Sequence, residues 1–238
     1  MLAGVLLLCG DHRCVALGPP LSLKKVRGEL PLSGRKLFVY EVKDFDFWRK
    51  AKAEENPYGR KIWPGAVAAA RRLDGLASDG RLGRVLEIGC GNGFASLAAA
   101  ALGAESVLAT DVSAAALELT KRAALEQNLQ VTTQLFDVFA KTPLPEADLL
   151  VAADLFYDEA LAAAVADRVK EALRRGTGVL VAGEPSRPAR HVFLESLRQD
   201  LPDVDFEPPT RLQLTDANWK AKLIEVLYLE APTTVPSS

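Results

Sequence analysis

Arg84-Val85-Leu86-Glu87-Ile88-Gly89-Cys90-Gly91-Asn92-Gly93 is the stretch around which the rest of this 238-residue chain is read. Val85, Leu86 and Ile88 suffice for one short buried strand. Gly89, Gly91 and Gly93 follow at alternate positions, and Phe94 to Leu102 then reads as a helix closed by Gly103. A strand that runs through glycines into a helix brings bare backbone N–H groups and a helix N-terminus against a ligand. A plain strand-to-helix turn needs one glycine or two. Three in alternation favour a loop built for close approach.

The dinucleotide fingerprint G-x-G-x-x-G would place its third glycine at position 94, which is Phe94. The loop is instead G-x-G-x-G, with Glu87 two residues before its first glycine, and resembles the loop of methyltransferases that use S-adenosylmethionine.

Downstream, strands and helices alternate. Strands are predicted at Ser106 to Thr110, Val131 to Phe136, Asp148 to Ala153 and Val179 to Ala182, with a final hairpin of Val204 to Glu207 and Leu223 to Leu229. Helices are predicted at 114–127, with Ser113 as its cap and Asn128 as its stop, and at 159–175 and 189–201. The expected fold class is α/β, a Rossmann-like sheet of seven strands whose parallel members end at one polar crevice. Upstream, Leu37 to Val42 is a strand paired with Leu21 to Val26 across Pro31 and Gly34. Phe45, Phe47 and Trp48 are expected to cover one face of the sheet. Pro64 opens a helix that runs to about Leu76, which puts Trp63 at the mouth of the site. The chain thus divides into a flexible or targeting segment (1–30), an N-terminal hairpin and helix extension (31–62) and the catalytic domain (63–238).

The acids at the strand ends suggest roles. Asp111 lies 18 residues after Gly93, near the spacing at which an acid accepts from a ribose diol. Asp137 is placed to accept from an adenine amine, or to serve only as a turn residue. After the fourth parallel strand, Asp154-Leu155-Phe156-Tyr157 brings an acid and two aromatics out where a methyl donor would end. A lysine nucleophile must lose its proton, which costs about 4–5 kcal/mol at neutral pH. Desolvation by aromatics lowers that cost, and a carboxylate holds the incoming cation. On the residues alone, a helix-capping Asp154 with two core aromatics is an equal reading.

Asp154-Leu155-Phe156-Tyr157 resembles the D-x-x-Y signature of the seven-strand protein lysine methyltransferases. With Trp63-Pro64-Gly65 and Gly183-Glu184-Pro185-Ser186-Arg187-Pro188, it is similar to the type that acts on the β-subunit of electron transfer flavoprotein. The resemblance implies S-adenosylmethionine as cofactor and a protein lysine as substrate. It implies that Trp63, Glu87, Gly89 and Ala153 hold the methionine end, Asp111 the ribose, and Asp137 and Val138 the adenine, with Gly91 and Gly93 of the loop also against the cofactor. Asp154, Phe156 and Tyr157 would form the lysine pocket. Arg187 is left open between a contact with ligand and a surface role. Two alternatives stand beside this: a small-amine N-methyltransferase of the nicotinamide kind on the same fold, and a cofactor-binding module without catalysis.

The composition, 49% hydrophobic and 25% charged, suits one globular α/β domain with an extension. A net charge of −2 provides no basic field for nucleic acid. The charge is uneven: residues 1–72 carry 14 Lys and Arg against 7 Asp and Glu, and the remainder 15 against 24. A basic N-terminal arm of this kind suits targeting or a partner as well as a solvated surface. Cys9, Cys14 and Cys90 fit neither a disulfide framework nor a zinc site, and no metal is expected. Leu2 to Cys9 is too short for a membrane span. The run to Gly28 is compatible with an organellar transit peptide, so the expected location is intracellular, in cytoplasm or mitochondrion. A monomer acting on a protein substrate, with neither nucleic acid nor membrane as partner, is expected.

Overall fold

The computed structural model describes residues 22–43 and 57–230. The expected start of the hairpin at Leu21, the aromatics Phe45, Phe47 and Trp48, and most of the proposed targeting segment lie outside those residues. A hairpin comes first, β1 (Leu23–Glu29) and β2 (Lys36–Val42), antiparallel with Val26 opposite Val39. Then follow α1 (Pro64–Ser78), β3 (Arg84–Ile88), α2 (Phe94–Ala101), β4 (Ser106–Asp111), α3 (Ala114–Glu126) and β5 (Thr132–Leu135). The chain continues through β6 (Leu149–Ala153), α4 (Glu159–Arg174), β7 (Gly178–Gly183), α5 (Arg190–Arg198), β8 (Thr210–Leu212) and β9 (Lys222–Leu229).

Seven of these strands form one sheet in the order β5-β4-β3-β6-β7-β9-β8. β3 to β7 are mutually parallel, and β9 enters antiparallel between β7 and β8. The central strands are apolar on both faces because helices cover both. Leu86, Ile88, Leu150, Ala152, Val179 and Val181 point to the side of α4 and α5, with Val165, Val169, Phe193 and Leu197. Val85, Leu149, Val151, Leu180 and Ala182 point to α1 and α2, with Leu73 and Leu76. The edge strand β5 is short and mostly polar or exposed, as befits an unpaired edge. Ser113 caps α3 by accepting from the Ala116 N–H at 3.3 Å, and Asn128 ends it with φ +54°, as expected.

The last hairpin departs from expectation. β8 is Thr210–Leu212, not Val204 to Glu207. The Glu207 N–H reaches the Val226 carbonyl at 2.7 Å, but Pro208 and Pro209 follow and have no N–H to extend a ladder. Pairing therefore resumes only beyond them.

The β1–β2 hairpin packs on α2 and α3 through Val26, Val39, Phe94, Leu97 and Leu119. Two buried acids tie it down. Asp74 of α1 accepts from the Leu32 N–H at 2.7 Å, and Glu41 of β2 accepts from the Ile62 N–H at 2.8 Å while pairing with Lys24 at 2.9 Å. Glu41 thereby fixes the segment that leads to Trp63 and α1.

Candidate active site

The carboxyl ends of β3 to β7 open into a cleft of about 240 Å³, lined by Glu87, Gly89, Gly91, Asp111, Val138, Ala153 and Asp154 from the sheet. Tyr58, Trp63, Tyr157 and Arg187 line the same cleft.

The glycine loop is folded onto its neighbours. Gly89 has φ +63°, and a Cβ there would meet Leu155 Cδ2 at 2.6 Å. Asp111 accepts from the Gly91 N–H and the Ser113 N–H, each at 2.9 Å, so this acid fixes the loop as well as facing the cleft. Glu87 is buried and accepts from both the N–H and the hydroxyl of Ser96. Burial pushes its carboxyl up to about 7 against those hydrogen bonds, and raises Asp111 as well. Cys90 also lines the cleft, but burial drives its thiol well above the ordinary range, as expected of a packing residue.

Asp154 is the centre of the site. It follows β6 with φ +58°, a left-handed conformation that Asp tolerates better than most residues. Its Oδ2 accepts from the Gly65 N–H at 2.5 Å, at the start of α1, so the acid caps a helix 89 residues away in sequence. Its Oδ1 is buried and has no hydrogen-bond partner among the described residues. Burial pushes the carboxyl up to about 7, with Glu184 adding to the rise, while the Arg187 guanidinium and the Gly65 N–H oppose it.

Trp63-Pro64-Gly65 and the acid after β6 thus form one unit. Pro64 occupies the first turn of α1, where its missing N–H costs nothing. A Cβ on Gly65 would lie 2.5 Å from Asp154 Oδ2 and 2.8 Å from the Ala182 carbonyl. Gly65→Ala is therefore expected to destabilise the fold by about 1–3 kcal/mol, the usual cost of overpacking, as read by urea denaturation. An unchanged midpoint would mean that α1 can back away from the sheet freely.

The mouth is aromatic. Tyr58 stands 6.0 Å from Trp63 and 5.7 Å from Tyr157 between ring centroids. The Trp63 indole N–H donates to the Tyr58 carbonyl at 2.8 Å, and Lys61 and Arg187 both lie over the indole, at 5.4 and 5.5 Å. Tyr58 was not singled out by sequence reasoning. Its signal was the glycine beside it: Gly59 packs against the backbone of Gly91, and a Cβ on Gly59 would meet the Ala116 Cβ at 2.9 Å, too close without a shift.

Three expected site residues lie elsewhere. Phe156 does not line the cleft; it is 1% exposed and packs on Phe193 and Phe206, at 4.6 and 6.0 Å. The left-handed turn at Asp154 sends Phe156 to the α4–α5 side and leaves Tyr157 at the mouth. Asp137 is an exposed turn residue whose Oδ1 accepts from the Phe139 N–H at 2.9 Å, and the flanking Phe136 and Val138 line the cleft instead. Gly93 begins α2 with φ +79°, and a Cβ there would meet the Thr120 side chain at 2.4 Å. Its bareness serves helix packing.

A sequence model of lysine methyltransferases matches residues 43–200, well over half of the chain. The protein belongs to the lysine methyltransferase family. Among the relatives of this family member, the electron transfer flavoprotein beta subunit lysine methyltransferase of Xenopus laevis is 37% identical over 148 residues, 60% of this chain and 59% of that protein. The Mus musculus protein of the same name is 30% identical over 167 residues, 66% of this chain and 65% of that one. The chain thus spans under two thirds of the length of these relatives. Its fold is that of a putative RNA methyltransferase from Pyrococcus horikoshii (TM-score 0.57, 16% identity, 80% of this chain and 96% of that one). It is likewise that of a T. thermophilus 16S rRNA methyltransferase solved with AdoMet and guanosine (TM-score 0.56, 16% identity, 89% of this chain and 51% of that one).

Proposed function

We propose that this protein transfers a methyl group from S-adenosylmethionine to a lysine side chain of a protein. The observation that carries the reading is the Asp154 Oδ1, a buried acceptor without a hydrogen-bond partner among the described residues, at the floor of an aromatic-mouthed cleft. The donor set suits such a cofactor, whose amino, sulfonium and ribose hydroxyl groups call for acceptors: Glu87, Asp111 and Asp154 are three carboxylates in one cleft. Glu87, Gly89, Gly91 and Ala153 would hold its methionine end, Asp111 its ribose, and Phe136 and Val138 its adenine. When bound, it supplies an electrophilic methyl.

The chain's own residues prepare the nucleophile. Tyr58, Trp63 and Tyr157 strip water from the incoming lysine and hold its cation by their ring faces. Asp154 Oδ1 accepts from the ammonium and orients it. A carboxyl lifted to about 7 is also suited to take the proton, which leaves the Nζ lone pair free to attack.

The relatives' names suggest the substrate, the β-subunit of electron transfer flavoprotein. The reading extends to an intracellular monomer, in mitochondrion or cytoplasm, that acts on protein without nucleic acid or membrane. Among the described residues, no helix is long and apolar enough to cross a membrane. The test is incubation with labelled S-adenosylmethionine and either purified electron transfer flavoprotein or fractionated extract, followed by peptide mass spectrometry. Label on a lysine Nζ is expected. Label only on a small amine, or none in any fraction, overturns the reading. Asp111→Ala is expected to weaken cofactor binding by about 1–3 kcal/mol in titration calorimetry, and unchanged affinity would take it out of the ribose site.

A further inference from the structure

We propose that Arg187 is a positioning residue that favours the ionised form of Asp154, with its guanidinium anchored on Trp63 and Glu184. The catalytic meaning rests on the function proposed above, but the pairing itself does not. Arg187 and Asp154 line the same cleft, and each carries a buried polar atom without a hydrogen-bond partner among the described residues, Nε of one and Oδ1 of the other. The guanidinium is held from two sides. It lies 5.5 Å over the Trp63 ring, and its Nη2 is 3.3 Å from Glu184 Oε1. The anchor and the target belong to one unit, since Trp63 begins the helix whose Gly65 N–H binds Asp154.

Among the described residues, the other charges around Asp154 are engaged with other groups or negative. From the β7–α5 turn, Glu184 opposes ionisation, and Lys222 of β9 is occupied with Glu184 at 3.0 Å. Arg190 is committed to Glu225 and Asp205. From α1 come only backbone N–H groups, those of Gly65 and Ala66. Lys61, ahead of α1, shares the Trp63 indole, and Glu87, Asp111 and Cys90, which also line the cleft, bear negative charge when ionised. Arg187 is the chief charge that offsets the burial of Asp154. It is a positioning residue because it acts through that carboxylate.

Carboxyl-carbon NMR of the full chain without ligand, with the Asp154 resonance assigned by its loss in Asp154→Asn, tests this directly. In Arg187→Gln the Asp154 midpoint is expected to rise by roughly one pH unit or more, and Arg187→Lys should restore most of the difference. Should Arg187→Gln fail to fold, Glu184→Gln is the second probe, since removing that negative charge should move the midpoint down. A midpoint indifferent to these changes overturns the proposal. The acid limb of the pH–rate profile for methyl transfer should move with the NMR midpoint. An NMR shift with an unmoved limb would uphold the pairing and count against Asp154 as the lysine acceptor.

Discussion

Asp154→Asn is expected to lose methyl transfer by at least about 100-fold and yet to be more stable than the parent protein at pH 8. The loss follows because a lysine ammonium drawn into the cleft would meet a neutral amide, and a buried charge left without its partner costs about 3–5 kcal/mol. The gain follows from what Asn keeps. Its carbonyl oxygen still accepts from the Gly65 N–H that Asp154 now caps, and Asn, like Asp, tolerates the φ of +58°. What disappears is a buried carboxylate lifted to about 7, whose ionisation at pH 8 costs the folded state a few kcal/mol. Steady-state rates and urea denaturation of the two proteins check both halves. Retained activity would remove Asp154 from the chemistry, and a less stable Asn variant would mean that the carboxylate is better compensated than its surroundings indicate.

Without ligand, the protein is expected to lose stability as pH rises from about 4 to about 7, by several kcal/mol in all. Glu87 and Asp154 both stand at about 7 in the folded state, above their ordinary values of 4.5 and 3.8. For a group raised in this way, stability is fully present below the unfolded-state pKa and is lost as pH climbs through the folded-state value. The window is therefore about pH 4 to 7. Asp111, raised by burial, acts in the same direction. The acids that are lowered, Glu126, Asp148 and Glu171, lose their stabilising effect only as pH falls below the ordinary carboxylate range, so they are silent in this window. Thermal unfolding at several pH values reads the slope, and Glu87→Gln with Asp154→Asn should flatten it. A flat profile in the unaltered protein would show that water or relaxation relieves both acids.

Much of this arrangement is legible in the sequence because it is local. The glycine loop, Asp111 at the end of β4, the Ser113 cap and the Asn128 stop each declare themselves within a few residues. What sequence could not show is long-range. Asp154 and Gly65 are 89 residues apart, so the helix that Asp154 caps is not the one that follows it; α4 is capped by Asp158. The resemblance implied that Phe156 and Tyr157 share the lysine pocket, but beyond the left-handed turn at Asp154 Phe156 is buried in the core and only Tyr157 stays at the cleft. Asp137 had two local readings, and only the three-dimensional course of the loop selects the turn. Gly93 was assigned to ligand when the crowding comes from Thr120, a helix away.

The bond from Glu41 to the Ile62 N–H reaches further than its 2.8 Å. A shortened protein that begins at Trp63 would still contain every strand of the main sheet. Such a protein would keep its floor of carboxylates, but the segment carrying Tyr58 and Lys61 would be gone, and nothing from the hairpin would steady the indole. If the proposed activity holds, removing the leading hairpin should therefore weaken binding of a lysine-bearing protein more than binding of S-adenosylmethionine, a separation that affinity measurements for the two would expose.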